Sequence, residues 1–371
     1  MSVTPDQWVE AHVGPVAEAL SSAVFYAIPV AGTQVPLIVI WLAVAAVFFT
    51  VYLRFSNLRA LGLAVRHVKG DFADPTARGE ISHFKAVATA ISGTVGVGNI
   101  GGVAVAISLG GPGAAFWLFL AGLLSMSTKL VECTLGVKYR RYNADGSVSG
   151  GPMFYLESSF RERGWPCRGK GMGAFYALAL VIGCLGIGNM FQSNQAYAQV
   201  LVITGGESSA LVDMGWLFGL GLAAIVAAVI IGGIQSIARV AAILVPVMAV
   251  LYVVSCVIVI TLSAEYLPGA LQLVVSEAFT GQAASGGALG AVIIGFQRAL
   301  FSNEAGIGSA SIAHAAVKTE APASEGITAL LEPFIDTVVT CSLSSLVILT
   351  TAMPHNLMGA GLAGLELTSA A

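Results

Sequence analysis

Two short segments combine glycines with polar side chains inside runs that are otherwise apolar. The first break, ISGTVGVGNIGG at residues 91–102, contains five glycines together with a threonine and an asparagine. The second break, QRALFSNEAGIGSAS at residues 297–311, has a cluster of polar side chains directly before two glycines. Glycine weakens a helix, and an interrupted helix leaves backbone amides and carbonyls without partners. Such amides can bind an anionic group and such carbonyls a cation, so both breaks are candidate binding segments.

The composition of the chain places both breaks in a membrane. Of the 371 residues, 56% are hydrophobic and 10% are charged, and the mean hydropathy is +0.85. The apolar runs reach about 20 residues, the length at which a helix crosses roughly 30 Å of hydrocarbon, and they lack the alternation of outer-membrane strands. The sequence therefore predicts an all-α integral membrane protein. No nucleotide-binding loop, zinc spacing or Ser/His/Asp arrangement stands out, which disfavours an ATP-driven pump and an enzyme.

Eight membrane spans are predicted from the apolar runs. Their bounds are residues 35–53, 86–109, 112–135, 172–203, 214–234, 240–263, 287–310 and 327–353. Residues 1–34 contain no Lys or Arg, so they lack the basic start of a cleavable signal peptide. We expect them to form an N-terminal segment that lies outside or at the membrane interface.

The charged residues predict which loops face the cytoplasm. Loops 54–85 and 136–171 hold most of the basic residues, whereas loops 203–213 and 264–286 contain none. Three further basic residues lie near span ends on the same predicted side: Lys129, Arg239 and Lys318. The acidic residues of the other two loops are Glu207, Asp213, Glu265 and Glu277. Because cytoplasmic loops carry the excess of Lys and Arg, the N-terminus is predicted to lie outside and the basic loops inside.

The first break is predicted to face the interior of the helix bundle. Free backbone groups are tolerated at membrane depth only where protein or a watery cavity satisfies them. Two glycine-interrupted spans about two hundred residues apart point to the midplane site of a transporter. We assign substrate contacts to Thr94, Gly96, Gly98 and Asn99, since an asparagine at midplane needs polar partners. The alternative, glycines that only allow close helix packing, applies best to residues 101–102.

The second break adds further candidate residues. Ser302, Asn303 and Gly306 are predicted to enclose the other side of the substrate. Glu304 is an ionisable group at membrane depth, which makes it a functional candidate by default. It could bind a cation, take up a proton or pair with Arg298, the one basic residue that falls well within a predicted span. These two residues are therefore candidates for coupling or gating.

Polar residues of the fourth span and its flanking segments complete the candidate set. A polar face recurs at helical spacing through Gly188, Gln192, Gln195 and Gln199, and Gln192 near mid-span is the predicted substrate contact. Hydrogen bonds between helices would explain the same face without a ligand. The loop motif SGGPMFYLE at 149–157 is interpreted as a hydrophobic plug or interfacial helix. His314 is interpreted as a solvated or capping histidine in a loop.

Several long motifs resemble one known family. They are SGTVGVGNIGGVAVAISLGGPGAAFWLFLAGLLSMSTK, SGGPMFYL, GNMFQSNQ and LFSNEAGIGSASIAHAAVKT, in that order along the chain. The sequence from about residue 85 onward resembles the alanine or glycine:cation symporters. One departure is visible at residues 116–119, where Phe-Trp-Leu-Phe stands in place of the family's usual Phe-Trp-Met-Trp.

The resemblance implies a bacterial or archaeal symporter with a leucine-transporter-like inverted five-plus-five repeat and one extra N-terminal helix at 35–53. Residues 86–263 would form the first five-helix repeat and residues 287–371 the start of the second. Because the family has about eleven spans, a chain of eight is expected to be truncated relative to it.

The function implied is Na⁺-coupled symport of alanine or glycine by alternating access in the cell membrane. Na⁺ is the expected coupling ion and is placed beside Gly93, Thr94 and Val97; no cofactor and no nucleic-acid partner are expected. Two alternatives stay open: a proton-coupled amino-acid transporter, and a sensor or channel that binds the amino acid on the same scaffold without transporting it.

Overall fold

The structure is a computed structural model that describes residues 5–30, 33–212, 214–280 and 287–352, with Pro354 and Thr368. Its first part contains helix α1 (Pro5–Val24), a hairpin of β1 (Ala27–Val30) and β2 (Thr33–Pro36), and helices α2 (Leu37–Tyr52), α3 (Ser56–Arg59) and α4 (Leu61–Lys69). Next come α5 (His83–Thr94), α6 (Val97–Gly110), α7 (Gly113–Lys138), the short strands β3 (Arg141–Tyr142) and β4 (Val148–Ser149), and α8 (Pro152–Glu162). Helices α9 (Pro166–Gly183), α10 (Gln192–Ile203), α11 (Gly215–Ile230), α12 (Gly233–Leu262) and α13 (Leu267–Thr280) follow. The last described helices are α14 (Gly287–Asn303), α15 (Ala310–Ala315), α16 (Pro322–Thr328), α17 (Leu331–Pro333) and α18 (Ser342–Thr351).

Apolar helices dominate the described residues, as the composition predicts. Four of the helical stretches there are long and apolar enough to cross a membrane, and five if the bent pair α5 and α6 is one span. Helices α2 and α11 are apolar but shorter. An all-α membrane protein is therefore confirmed, whereas the count of eight spans and the inverted repeat stay predictions. The part of the predicted second repeat beyond Ala352 lies outside the described residues, apart from Pro354 and Thr368, as does Asp213.

Both glycine-rich segments interrupt their spans. Helices α5 and α6 meet at Val95 and Gly96 with a bend of 47°. The predicted span 287–310 is likewise divided, because α14 ends at Asn303 and α15 begins only at Ala310. Between them the chain takes left-handed backbone conformations at Glu304, Gly306 and Gly308. Glycine adopts this conformation without steric cost, so the glycines account for most of this break.

Helix α7 is the central element of the bundle. Its apolar face packs with α6, α14 and α18 in a core that includes Ile107, Leu118 and Ile348. Small residues allow the closest approaches: a Cβ at Gly295 would lie 2.6 Å from the Cβ of Trp117. A Cβ at Gly122 would similarly lie 2.7 Å from the methyl group of Thr337. Small residues at helix interfaces let backbones approach in this way.

Two of the long helices contain a widened π-helical stretch. One, at Cys184–Phe191, joins α9 to α10 and ends directly before Gln192. The other, at Phe334–Cys341, joins α17 to α18 and carries Asp336. A π-helical stretch shifts the register of a helix and often marks a functional position. Both stretches place polar side chains toward the two breaks, as described below.

The basic loops meet at one end of the bundle. The guanidinium of Arg140 donates to the backbone oxygens of Arg78 and Val317, and the Arg78 and Arg140 side chains both lie over the ring of Tyr142. This end, which includes Arg78, Lys138, Arg140 and Lys318, is called the basic end. At the other end of α7, the indole of Trp117 donates to the carbonyl of Ala278 in α13. The sequence predicts a loop at 264–286. This prediction is wrong in one respect, because the described part of the segment, residues 264–280, is helical.

The basic end also joins the segments that flank the two breaks. Ile81, just before α5, forms a parallel bridge with Val317, just after α15, and the amide of Lys318 donates to the carbonyl of Ile81 over 2.8 Å. Gly79 makes this approach possible, because a Cβ there would collide with the backbone of Val317. The two interrupted spans are thus tied together by their backbones at the basic end.

Candidate functional site

The first break ends one helix and starts another within two residues. Helix α5 ends at Thr94, whose side chain is buried, and α6 begins at Val97. The side-chain oxygen of Asn99 accepts a hydrogen bond from the amide of Gly96 over 2.9 Å and thereby caps the new helix. A Cβ at Gly98 would meet no neighbouring atom within 4 Å. The first turn of α6 therefore has open space beside it, and its amides carry the partial positive charge of a helix N-terminus.

Asn99 and Ser302 bring the two breaks into direct contact. The side-chain amide of Asn99 donates to the hydroxyl of Ser302 over 2.9 Å, and both side chains are buried. Asn99 lies in the first turn of α6, and Ser302 lies in the last turn of α14. A helix N-terminus thus lies beside a helix C-terminus, and their partial charges are opposite.

Asp336 joins this contact from a third helix. Its carboxylate accepts hydrogen bonds from the amide of Asn99, from the Ser302 hydroxyl over 2.9 Å and from the Thr337 hydroxyl over 2.8 Å. The side chain is fully buried. A buried carboxylate is costly unless it is well hydrogen-bonded, and these donors on two breaks supply that stabilisation. Asp336 therefore holds the first and second breaks in one arrangement.

Asn303 is a second buried link between the second break and α7. Its side-chain amide donates to the hydroxyl of Ser125 over 2.9 Å and to that of Thr337 over 3.0 Å. Its side-chain oxygen accepts from the amide of Ala305 over 3.0 Å. Both polar atoms of the Asn303 side chain are thus hydrogen-bonded within the protein. Asn303 therefore shapes the break and leaves ligand contact to its neighbours.

Gly306 and Gly308 are the two glycines of the second break that approach other elements. The amide of Gly306 donates to Glu132 of α7 over 2.8 Å. A side chain at Gly308 would run into Pro152 and the hydroxyls of Tyr155 and Tyr176. The motif at 149–157 therefore supplies the start of α8, which packs against the second break.

Glu304 and Arg298 do not pair with each other in the part of the chain that the structure describes. Glu304 instead accepts a hydrogen bond from the hydroxyl of Ser309 over 2.5 Å. The Nε atom of Arg298 is buried, and no described residue lies within hydrogen-bond distance of it. The ion-pair alternative is therefore wrong for this conformation, and the other roles considered for Glu304 stay predictions.

Gln192 is the residue of the fourth-span polar face that lies against the first break. A Cβ at Gly96 would be 3.3 Å from the side-chain oxygen of Gln192. Gln195, one turn further along, donates instead to Asn194 over 3.2 Å. The structure thus brings Gln192 beside Gly96, while the binding roles of both residues and of Asn99 stay predictions. The same holds for the Na⁺ position beside Gly93, Thr94 and Val97.

Six ionisable side chains are buried together between the second break and the basic end. This buried ion cluster consists of His83, Lys129, Glu132, His314, Glu325 and Glu332. Two predictions are corrected by it. Lys129 is fully buried and does not lie at a span end, because it pairs with Glu332 over 3.1 Å and Glu132 over 3.2 Å. His314 is fully buried in α15 and is not a solvated loop residue, because it contacts Glu325 over 2.5 Å.

The sequence contained a signal for these missed residues. Glu332 and Asp336 are acidic residues within the predicted span 327–353, and Lys129 and Glu132 fall within the predicted span 112–135. Ionisable groups at membrane depth are costly and mark functional positions. Lys129 and Glu132 are three residues apart, and Glu332 and Asp336 are four residues apart, so the two members of each pair are expected on one helix face.

The comparisons with known proteins identify the family. A model of the sodium:alanine symporter family matches residues 19–371. The chain belongs to this family. It is 37% identical over 314 residues to the sodium/alanine symporter AgcS of Methanococcus maripaludis, an alignment that covers 84% of this chain and 67% of the relative. This is a family of transporters, and the chain is a multi-pass membrane protein of that family.

Two further relatives are similar to this chain over most of its length. An uncharacterized transporter of Haemophilus influenzae is 35% identical over 330 residues, covering 86% of this chain and 68% of that protein. The probable sodium/glutamine symporter GlnT of Bacillus subtilis is 35% identical over 335 residues, covering 90% of this chain and 66% of that protein. The aligned part therefore spans about two thirds of each of these relatives.

Proposed function

We propose that the protein is a Na⁺-coupled symporter that moves alanine or glycine across the cytoplasmic membrane by alternating access. The observation that carries this proposal is the contact between Asn99 and Ser302, which sets the N-terminal end of α6 beside the C-terminal end of α14. A zwitterionic amino acid needs a positive partner and a negative partner a few ångströms apart. Two opposed helix ends supply both without a charged side chain.

The substrate carboxylate would bind the first-turn amides of α6 around Gly96 and Gly98, with Thr94 and Asn99 beside it. The substrate ammonium would bind carbonyl oxygens at the end of α14. Open space beside Gly98 accommodates the ligand. Gln192 and the Ser302–Gly306 stretch would enclose the other side and leave room for a small side chain only.

Na⁺ would bind backbone carbonyls and a hydroxyl beside the first break, at Gly93, Thr94 and Val97. An interrupted helix frees carbonyl oxygens, which are suitable ligands for a hard cation. Occupation of both sites would favour closure around the substrate, and the bundle would then reopen on the other side. The basic end would face the cytoplasm and the N-terminus the outside, as the charge distribution predicts.

The proposal is tested by uptake of labelled alanine into proteoliposomes under an imposed Na⁺ gradient. We expect accumulation that disappears when K⁺ replaces Na⁺. Gln192→Ala should abolish this uptake without lowering the amount of protein in the membrane, since Gln192 lies against Gly96. Asn194→Ala is the matched control, because the exposed Asn194 side chain is two residues away.

Each alternative predicts a different result in the same vesicles. Uptake driven by a proton gradient in the absence of Na⁺ would identify a proton-coupled transporter. Binding of alanine without accumulation would identify a sensor. Uptake unaffected by both Gln192→Ala and Asn99→Ala would contradict the assignment of the site.

A further inference from the structure

The buried ion cluster connects the basic end of the bundle to the second break. At the basic end, His83 and His314 place their Nδ1 atoms on the two carboxylate oxygens of Glu325. The His314 contact is 2.5 Å long. All three side chains are at most 6% exposed. Glu325 is thus held between two imidazoles that come from α5 and α15.

The cluster continues from His314 to the backbone of the second break. The Nε2 atom of His314 lies 3.7 Å from Glu332, whose other oxygen lies 3.1 Å from the ammonium of Lys129. The ammonium lies 3.2 Å from one oxygen of Glu132. The other Glu132 oxygen accepts from the amide of Gly306 over 2.8 Å. Each member therefore contacts the next, and the last one holds the backbone of the break.

The charges in this cluster do not balance unless protons are added. Three carboxylates and one ammonium leave two negative charges in excess when both imidazoles are neutral. Uncompensated charge is very costly in a buried site. Two imidazolium ions would balance the cluster. The composition of the cluster thus favours binding of protons at the histidines.

The geometry shows where one such proton would act. Because an ionised Glu325 can only accept hydrogen bonds, each imidazole would donate its Nδ1 proton to it, and an additional proton would then reside on Nε2. The Nε2 atom of His314 is buried, and the Glu332 oxygen that faces it lies 3.7 Å away, too far for a good hydrogen bond, while the other Glu332 oxygen pairs with Lys129. A proton on this Nε2 atom would convert the 3.7 Å separation into a charge-assisted hydrogen bond to Glu332. A neutral imidazole would instead present its lone pair to a carboxylate.

The basic end supplies access for water. A cavity of about 390 Å³ is lined by His83 together with His67, Asp74, Lys318 and Glu320. The ring centroids of His67 and His83 are 5.4 Å apart. The other titratable groups that face the cluster are Cys133, Tyr155, Tyr176 and Asp336. Those four lie on α7, α8, α9 and the π-helical stretch of the last span.

We propose that the buried ion cluster is a proton-binding site that is filled from the basic end and that holds the second break in its binding arrangement. A hydronium ion of the cavity water gives up one proton and becomes water, and the His314 imidazole becomes an imidazolium, which reduces the excess of the cluster from two negative charges to one. The bound proton fixes Glu332 on His314, and Lys129 and Glu132 then keep the amide of Gly306 in place. The proton is retained at one side and is not carried across with the substrate. The consequence for transport rests on the proposed function, whereas proton binding itself does not.

Proton binding is tested directly by ¹⁵N-histidine magnetic resonance on the protein in lipid bilayers. The chain contains five histidines, so single His→Gln variants assign the signals. Burial lowers the pKa of His314, but its contacts with Glu325 and Glu332 outweigh burial and raise the pKa to about 9, so we expect the imidazolium at pH 7 and its loss above pH 9. In Glu332→Gln the midpoint should fall by about one pH unit, since a neighbouring carboxylate favours the charged imidazole. A His314 that is neutral throughout, or a midpoint unmoved in Glu332→Gln, would overturn the proposal.

The consequence for transport is tested with proteoliposomes in which the internal and external pH are set separately. Raising the pH on the basic-end side from 7 to 10, through the His314 pKa of about 9, should lower Na⁺-driven uptake roughly tenfold, the factor expected for the loss of one charge-assisted hydrogen bond. Raising it on the other side should have no effect. His314→Gln should flatten the profile, and His12→Gln in α1 is the matched control. Equal sensitivity on both sides, or proton movement in step with alanine, would overturn the one-sided site even if Na⁺-driven uptake is intact.

Discussion

Asp336 is the residue on which both breaks depend. Its carboxylate receives donors from Asn99 in the first break and Ser302 in the second, and it is fully buried. Because these partners come from α6 and α14, any change at Asp336 alters both helix ends at once. Hydrogen bonds to charged groups contribute about 1.5–3 kcal/mol each, roughly twice the contribution of bonds between neutral groups. Asp336 thus determines whether the opposed helix ends stay in register.

Asp336→Asn is expected to lower both stability and uptake. The new side chain keeps the volume of the old one, but its amide group is a donor that faces the donors of Asn99 or Ser302. A buried polar group left unsatisfied costs about 1–3 kcal/mol, so we expect a lower temperature of unfolding. Alanine uptake should fall at least about tenfold, since 1.4 kcal/mol corresponds to that factor. Thermal unfolding of the purified protein and uptake into proteoliposomes measure the two effects.

Asp145→Asn is the control for this substitution. Asp145 is exposed in a turn between β3 and β4, where its carboxylate accepts from the Ser147 hydroxyl over 2.6 Å. These hydrogen bonds hold its pKa below the ordinary value for an aspartate. Water replaces them at little cost, so stability and uptake should match the wild type. If Asp336→Asn behaves like Asp145→Asn, Asp336 does not hold the breaks together.

At the scale of the elements, Arg140 connects the end of α7 to two other segments of the chain. Its guanidinium donates to the carbonyls of Ala315 and Val317 over 2.9 and 2.6 Å, and to those of Thr319 and Arg78 over 2.5 and 3.1 Å. Arg140 therefore connects the end of α7 to the segments that follow α15 and precede α5. A guanidinium presents five donors in a fixed plane, whereas a lysine offers one compact ammonium.

Arg140→Lys is therefore expected to loosen the basic end, although it keeps the charge. An ammonium cannot reach four carbonyls spread over two segments, and the hydrogen bonds to three of these carbonyls, those of Ala315, Val317 and Thr319, are partly buried. We expect a loss of about 2 kcal/mol in the free energy of unfolding, the equivalent of one hydrogen bond to a charged group. Faster amide hydrogen exchange should appear in residues 315–319. The measurement is hydrogen exchange with mass spectrometry, combined with thermal unfolding.

The neighbouring Arg141→Lys provides a control of the same chemistry. Arg141 pairs with Glu157 over 2.9 Å at an exposed site, and such surface pairs contribute about 0–1 kcal/mol. Exchange in residues 315–319 should be unchanged in this variant. Equal effects of the two substitutions would show that the carbonyl contacts of Arg140 do not hold the basic end together.

The elements themselves could largely be predicted from the sequence, whereas the partners across elements could not. Apolar length located most of the long helices, and the glycines of the two breaks marked where helices end. The contact between Asn99 and Ser302 joins residues 203 positions apart, and no local pattern specifies it. Lys129 shows the same limit. Its position near a basic loop predicts a span end. In the structure, the ion pair with Glu332 of another helix compensates the charge of Lys129 and so permits its full burial.

At the scale of the whole molecule, charge is separated between the two ends of α7. The C-terminal end of α7 lies among Lys138, Arg140 and the carbonyls that Arg140 holds, while its first residue packs against the backbone of Glu277 in α13. A helix of 26 residues is about 39 Å long, enough to cross the hydrocarbon layer. The basic loops and Glu277 of α13 therefore lie at opposite ends of α7.

This separation predicts the orientation of the protein, and Cys167 reports on it. Cys167 is exposed near Arg163 and Arg168, in the part of the chain predicted to be cytoplasmic. A membrane-impermeant maleimide should label it in inverted vesicles and leave it unlabelled in right-side-out vesicles, because positive loops are retained inside. In a Cys167→Ser background, which should give no label from either side, Ser208→Cys should react only in right-side-out vesicles, since the exposed Ser208 lies in a loop without Lys or Arg. Labelling of Cys167 from outside would reverse the orientation and place the water-accessible cavity of the buried ion cluster on the external face.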